Sequence, residues 1–186
     1  MESHFPSIHS TTVLGVVHNG QVALGADGQA TMGNTVAKGN VQKLREMSDG
    51  KILVGFAGST ADAFALLEKF DEKLNMHRSN LRRSAIELGK EWRTDKYLRQ
   101  LEAMLIAMDS ESGLIISGTG DILEPEDQVL AIGSGANFAR AAALALKKHA
   151  PQMSAREIVG SALHIAADIC IYTNHNLVIK ELENNP

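Results

Sequence analysis

A threonine and a carboxylate lie at the two ends of a predicted β-hairpin near the start of the chain. Thr11 precedes the apolar run at residues 13–17, and Asp27 follows a second run at residues 21–25. The dipeptide Asn19-Gly20 between the two runs is a strong signal for a tight hairpin. Because such a turn brings the end of the second strand beside the start of the first, we expect Asp27 to lie near Thr11. A hydroxyl beside a carboxylate fits either nucleophilic chemistry or ordinary polar packing, and the spacing alone leaves both open.

Thr11 would need a base before it could act as a nucleophile. A threonine at the N-terminus of a chain carries its own base, because an α-amine with a pKa of about 8 can accept the hydroxyl proton. Such chemistry requires cleavage of the peptide bond before Thr11. The preceding residues, MESHFPSIHS, lack the basic and long apolar regions of a secretory signal. On their own they are typical of a frayed terminus.

Composition restricts the class of protein. A chain of 186 residues with 44% hydrophobic and 22% charged residues is expected to form one domain with a substantial core. A net charge of -4 gives no basic surface for nucleic acid. The single cysteine, Cys170, excludes an internal disulfide and fits a reducing cytosol. The histidines show no HExxH or paired metal spacing, and no apolar run is long enough for a membrane helix.

The predicted elements come in the order strands, two helices, strands, two helices, strand. After the hairpin we expect a polar loop at residues 31–40 and then strands at 41–44, 51–58, 101–108, 114–117, 128–132 and 177–182. The expected helices begin at Ser59 or Thr60, span 81–97 and 136–149, and run from a capping box at Ser154 to about Ile171. Segregated helices and antiparallel strands predict an α+β fold in layers. Two sheets packed face to face, with helices outside each, would bury all four helical stripes in a four-layer αββα sandwich.

Several blocks of this sequence resemble one known family. They are TTVLGVVHNGQVALGADGQATMGNTVAKGNVQK, GFAGSTADAF, KEWRTDKYLRQLEAMLI, AIGSGANFA and DICIYTN, and they extend from Thr11 to about Leu182. In this order they resemble the HslV (ClpQ) family, the proteasome-like threonine protease subunits of bacteria. The resemblance implies an N-terminal nucleophile hydrolase with the αββα architecture. It also implies that residues 1–10 are a propeptide, removed to expose Thr11, and that residues 11–186 are a single protease domain.

The same resemblance assigns roles in catalysis to five residues. Thr11 matches the nucleophile, and Asp27 and Lys43 match its acidic and basic partners. A buried lysine needs a counter-charge, which Asp27 would supply. Gly55 matches the position whose N–H supports the oxyanion, and Ser134 matches the serine near the threonine amine. The Gly-Ser-Gly around Ser134 also fits a phosphate loop, but the Walker pattern is absent.

The family also implies a cation and a protein partner. Ala167, Cys170 and Thr173 match the positions whose main-chain carbonyls bind sodium, although many members have glycine where this chain has Ala167. We expect self-association into stacked hexameric rings, a dodecamer, with the Thr11 sites facing an internal chamber. A hexameric AAA+ ATPase of the HslU type would deliver polypeptides and activate the site allosterically in the cytoplasm. No organic cofactor is expected.

Two alternatives to a threonine endopeptidase are open. A small-molecule amidohydrolase with an N-terminal nucleophile would use the same chemistry in a small oligomer with an open site. A catalytically silent ring or scaffold subunit would keep its leader. The mature N-terminus separates the scaffold from the enzyme, and the native mass together with digestion of casein in the presence of an ATPase separates the two enzymes.

Overall fold

The computed structural model describes residues 8–9, 11–96, 102–117 and 119–182. Within these ranges there are twelve strands and four helices. The strands are β1 (Ile8–His9), β2 (Thr12–His18), β3 (Gln21–Ala26), β4 (Ala30–Met32), β5 (Thr35–Lys38), β6 (Leu44–Met47), β7 (Ile52–Gly58), β8 (Ala103–Met108), β9 (Gly113–Ile116), β10 (Ile122–Leu123), β11 (Val129–Gly133) and β12 (Val178–Leu182). The helices are α1 (Thr60–Met76), α2 (Leu81–Thr94), α3 (Ala136–His149) and α4 (Ala155–Ile169).

The strands form two large antiparallel sheets and one small one. One sheet has the order β11-β2-β3-β12, and the other has the order β10-β9-β8-β7-β6. The predicted hairpin is confirmed, because β2 and β3 pair up to His18 opposite Gln21 with only Asn19 and Gly20 between them. Both turn residues have positive φ angles, 51° and 72°, as a tight hairpin of this type requires.

Three buried clusters separate four layers and confirm the αββα sandwich. The alternating side chains of β2 show the arrangement, since Val13 points into the cluster between the two sheets and Leu14 points toward α3 and α4. A third cluster lies between the five-stranded sheet and the outer helices α1 and α2, and Phe70 and Trp92 are fully buried within it. Each sheet therefore buries both faces, one against the other sheet and one against a pair of helices.

The helix ends follow the predicted signals with small shifts. Ser154 and Glu157 form a complete capping box at the start of α4. Ser59 is the N-cap of α1, but its side chain makes no capping hydrogen bond. The predicted end of α4 at about Ile171 is wrong by two residues, because Cys170 already leaves the helical conformation. The helix predicted over 81–97 ends at Thr94, and residue 97 lies outside the described ranges. None of the helices in these ranges has the length and apolarity needed to cross a membrane.

Two predictions between the hairpin and β7 are wrong. The expected loop at 31–40 contains β4 and β5, which pair with a bulge between Ala30 and Thr31. Every residue of β5 is exposed, so the alternation that marks a half-buried strand is missing from its sequence. The strand expected at 41–44 begins only at Leu44. Val41 instead donates its N–H to the carbonyl of Gly28 at 2.9 Å, away from the β6–β7 ladder.

Candidate active site

Thr11 lies immediately before β2 and is buried, with 6% of its surface exposed. Its carbonyl accepts a hydrogen bond of 2.8 Å from the N–H of Ser134, in the loop that follows β11. The next residue, Thr12, pairs with Gly133 at the end of β11. The two sequence-predicted residues Thr11 and Ser134 are therefore in direct backbone contact, although they are far apart in the chain.

Asp27 follows β3, and its carboxylate accepts four hydrogen bonds. One oxygen, Oδ1, accepts from the main-chain N–H of Thr12 at 2.7 Å and from Nζ of Lys43 at 2.8 Å. The other, Oδ2, accepts from the N–H groups of Gln29 at 2.8 Å and Asn174 at 3.3 Å. Four donors around one carboxylate fix its orientation. The hairpin thus brings Asp27 to the residue next to Thr11.

Lys43 and Asp27 form a buried ion pair, with 3% and 1% of their surfaces exposed. Burial lowers the pKa of the Lys43 ammonium below the ordinary lysine value, while the charge and hydrogen bond of Asp27 oppose this shift. The main chain of Lys43 is fixed as well, because its carbonyl accepts the N–H of Phe56 from β7 at 3.2 Å. By contrast, Lys38 and Lys51 are exposed, as the sequence predicted.

A second network surrounds the side chain of Thr12. Its hydroxyl accepts the N–H of Gly135 at 2.9 Å and lies 2.7 Å from the hydroxyl of Thr173. This contact joins the start of β2, the loop after β11 and the turn after α4. The hydroxyl contact of Thr173 was not predicted from the sequence. The two threonines are 161 positions apart, and no local pattern signals such a contact.

Gly55 is packed between the two sheets. It lies within β7 opposite Leu44 on one side and Ile106 on the other, so its main chain belongs to the sheet ladder. A side chain at this position would clash with Val13, since an added Cβ would lie 2.6 Å from a Val13 methyl carbon. The requirement for glycine therefore has a packing explanation, and the role of Gly55 as an oxyanion donor stays a prediction.

Ala57 lies close to Gly133, the residue that packs against the carbonyl of Thr11. An added Cβ on Gly133 would lie 1.9 Å from the carbonyl oxygen of Thr11 and 3.4 Å from the Cβ of Ala57. Ala57 and Gly58 form the end of β7, next to the start of α1. The sequence marks this end of the strand only by small residues, which are common at strand ends. It therefore gave no reason to place Ala57 near the candidate site.

Gly133 is required by both conformation and space. Its φ angle is 93°, which disfavours any side chain, and an added Cβ would collide with the carbonyl of Thr11. We therefore expect Gly133→Ala to displace Thr11 and to lower peptide hydrolysis by about tenfold or more. Hydrolysis of a fluorogenic peptide and thermal unfolding would measure the two effects.

Gly20 offers a matched control for this substitution. Its φ angle is also positive, at 72°, but an added Cβ would meet no atom within 4 Å. Gly20→Ala should therefore lose about 1 kcal/mol of stability through backbone strain alone and keep its activity. Equal activity of the Gly133→Ala and Gly20→Ala variants would show that the contact of Gly133 with Thr11 does not matter for the site.

The three residues that match the family's sodium ligands lie around the end of α4. Ala167 is in its last turn, Cys170 is its C-cap, and Thr173 follows in a turn. The carbonyl of Cys170 accepts the N–H of Thr173 at 3.0 Å, and the carbonyl of Ala166 accepts the N–H of Cys170 at 2.8 Å. Among the described residues, no group of three or more His, Cys, Asp or Glu side chains is placed to hold a metal ion.

Comparisons with known proteins agree over nearly the whole chain. A family model described as Proteasome subunit matches residues 8–182. The ATP-dependent protease subunit HslV of Amoebophilus asiaticus is 63% identical over 175 residues, which cover 94% of this chain and 98% of that protein. The protein of the same name from Cytophaga hutchinsonii is 61% identical over 173 residues, covering 93% and 96%.

A solved structure gives the same relationship in three dimensions. The crystal structure of eukaryotic HslV from Trypanosoma brucei superposes with a TM-score of 0.88 at 44% identity, covering 93% of this chain and 99% of that chain. The match to the family model extends from before Thr11 to the last strand. The chain therefore belongs to the proteasome-subunit family, within its HslV-type threonine protease subunits.

Proposed function

We propose that this chain is the proteolytic subunit of an ATP-dependent protease and that Thr11, exposed at the mature N-terminus, is its nucleophile. The observation that supports this most is the buried ion pair of Asp27 and Lys43, whose shared carboxylate oxygen also accepts the N–H of Thr12. A buried ion pair is costly to maintain and is weak evidence for stability. Chemistry at Thr11 would explain why this pair is placed against the next residue, Thr12.

The mechanism follows from the groups around Thr11. Its freed α-amine, with a pKa of about 8, accepts the hydroxyl proton as Oγ attacks the carbonyl carbon of a peptide bond. The Lys43 ammonium stabilises the developing negative charge and keeps the amine in its basic form. Asp27 holds Lys43 in place. The amine proton passes to the leaving amine of the product, and water then hydrolyses the acyl ester on Thr11. Ser134 supports the amine from the loop after β11.

Removal of the leader is part of the proposal. The chain before Thr11 pairs in an antiparallel manner with β4, with Ile8 opposite Met32 and His9 opposite Thr31. This pairing supports a leader that is laid along β4, so that the bond before Thr11 is presented to the site. Residues 1–10 would then be the propeptide and residues 11–186 the mature protease domain.

The proposed assembly has stacked hexameric rings and a separate HslU-type hexameric ATPase, in the cytoplasm. Two relatives at more than 60% identity carry the name ATP-dependent protease subunit. This chain has no GxxxxGK[ST] sequence with which to bind ATP itself. Unfolding a protein domain requires work against about 5–15 kcal/mol. ATP dependence would therefore enter through a second polypeptide.

Because this chain would supply proteolysis and the ATPase would supply unfolding, we expect different outcomes for peptides and folded proteins. Purified, processed protein should cleave a fluorogenic tripeptide slowly, and faster when the ATPase and ATP are added, because the partner would bind the productive state of the site preferentially. A stably folded substrate should be degraded only when the ATPase and ATP are both present. Efficient degradation of the folded substrate by this chain alone would contradict a closed chamber and favour an open-site hydrolase.

A sodium ion is proposed at the end of α4. Its ligands would be the main-chain carbonyls of Ala167, Cys170 and Thr173, and carbonyl oxygens suit a hard cation of this kind. The fit is compatible with alanine at position 167, since a carbonyl ligand does not depend on the side chain. The ion would hold the turn that brings the hydroxyl of Thr173 to Thr12.

A further inference from the structure

The side chain of Asn174 ties together the two backbone segments that carry Asp27 and Lys43. Its Oδ1 accepts the N–H of Gly28, the residue after Asp27, at 3.1 Å. Its Nδ2 donates to the carbonyl of Gly39 at 2.9 Å, at the start of the irregular segment that leads to Lys43. Its main-chain N–H donates to Oδ2 of Asp27 at 3.3 Å.

Both the oxygen and the nitrogen of the Asn174 side-chain amide form hydrogen bonds. Oδ1 accepts the N–H of Gly28 and also the N–H of Asn176, the latter at 3.2 Å. This oxygen therefore accepts two hydrogen bonds while Nδ2 donates one. A primary amide combines an acceptor and donors at this spacing, which a hydroxyl or a carboxylate does not. The residue type, and not only its polarity, is therefore matched to the position.

The two segments tied by Asn174 pass very close to each other. A Cβ added to Gly28 would lie 2.6 Å from the carbonyl oxygen of Gly39. The segments are also joined by the bond of 2.9 Å from the N–H of Val41 to the carbonyl of Gly28, and by the Lys43–Asp27 ion pair itself. A small shift of Gly28 relative to Gly39 would therefore move Asp27 on one segment and Lys43 on the other.

We infer that Asn174 is a positioning residue for hydrolysis, one that sets the placement of the Asp27 carboxylate and the Lys43 ammonium beside Thr11; this rests on the proposed function. Asn174 acts through the pair and need not touch the substrate. Because preorganised charges lose much of their effect when they shift by about 1 Å, loss of this tie should reduce the rate of chemistry more than the binding of substrate.

Asn174→Ala and Asn176→Ala form a matched pair of variants. Nδ2 of Asn176 donates to the same Gly39 carbonyl at 2.8 Å, but within the described part of the chain its side chain makes no hydrogen bond to Gly28 or Asp27. For Asn174→Ala we expect kcat for a fluorogenic tripeptide to fall by about tenfold or more, with KM unchanged. For Asn176→Ala we expect kcat within about twofold of the unsubstituted chain.

Covalent labelling gives a readout that a purely structural role would not change. A tripeptide vinyl sulfone reacts with the threonine nucleophile, so its maximal rate of labelling reports on the chemistry and its half-saturating concentration reports on binding. In Asn174→Ala the maximal rate should fall in parallel with kcat, and the half-saturating concentration should stay constant. Asn174→Asp, which keeps the shape but sets a carboxylate oxygen against the Gly39 carbonyl, should show the same loss.

Each remaining outcome would count against the inference. Normal kcat in both Asn174 variants would overturn it, and so would an equal loss in Asn176→Ala. Loss of the folded assembly in both Asn174 variants, measured by native mass and thermal unfolding, would show a structural tie instead. Thr11→Ala is measured beside them: if it is inactive while the Asn174 variants are normal, only this inference fails, and if it is active, the proposed function fails as well.

Discussion

Thr11→Ala is expected to abolish peptide hydrolysis. Alanine keeps the α-amine but removes the oxygen that attacks the substrate, and loss of a catalytic nucleophile lowers kcat by a factor of about 10³ or more. Folding should be preserved, because the inner cluster begins at Val13 and the side chain of Thr11 is not part of it. Turnover of a fluorogenic tripeptide, with native mass to verify assembly, measures both effects.

Thr11→Ser is the matched control for the nucleophile. Serine keeps both the hydroxyl and the adjacent amine, so measurable activity should remain. Preparing each variant with residue 11 already at the N-terminus, through a cleavable fusion, separates turnover from processing of the leader. Equal activity in Thr11→Ala and the unsubstituted chain would exclude Thr11 as the nucleophile.

Substitution of Lys43 should have the second-largest effect. Lys43→Ala removes the cation beside the nucleophile, and loss of one such electrostatic group typically lowers kcat by about 10²- to 10³-fold. Lys43→Arg should fail as well, because a planar guanidinium does not fit the volume of a compact ammonium in a fully buried position. Peptide hydrolysis by purified variants is the measurement.

Stability has to be separated from chemistry in this experiment, because Lys43→Ala leaves Asp27 as a buried charge without its ion-pair partner. That change alone costs about 3–5 kcal/mol. The double variant Lys43→Met with Asp27→Asn removes both charges with little change in volume, so it should fold better than Lys43→Ala and still be inactive. Lys51→Ala, at an exposed lysine, should be fully active. Normal turnover in any folded Lys43 variant would remove Lys43 from the mechanism.

The sequence predicted those parts of the fold that depend on local patterns. The hairpin at Asn19-Gly20, the capping box at Ser154 and the helical stripes of α1 and α2 each have a short-range signal. Four apolar helices and paired antiparallel strands were sufficient to predict the layers. The exposed strand β5 was missed because its side chains are not selected by burial.

The candidate site was predicted less completely, because most of its contacts are long-range. The pairing of Asp27 with Lys43 was expected from the family resemblance, with Asp27 as the counter-charge of a buried lysine. However, the bond from Ser134 to the carbonyl of Thr11, the hydroxyl contact of Thr12 with Thr173, and the tie made by Asn174 join residues more than 120 positions apart. No periodicity in the sequence reports such contacts. They become visible only when the sheets are assembled.

The N-terminus of the active protein tests the central claim most directly. A threonine can use its own amine as a base only when no residue precedes it, so processing between Ser10 and Thr11 is required by the mechanism. N-terminal sequencing and intact mass of material that is active on peptides should show a chain that begins at Thr11, shortened by the ten leader residues. Full activity in material that keeps its leader, or that begins at any other residue, would contradict the mechanism.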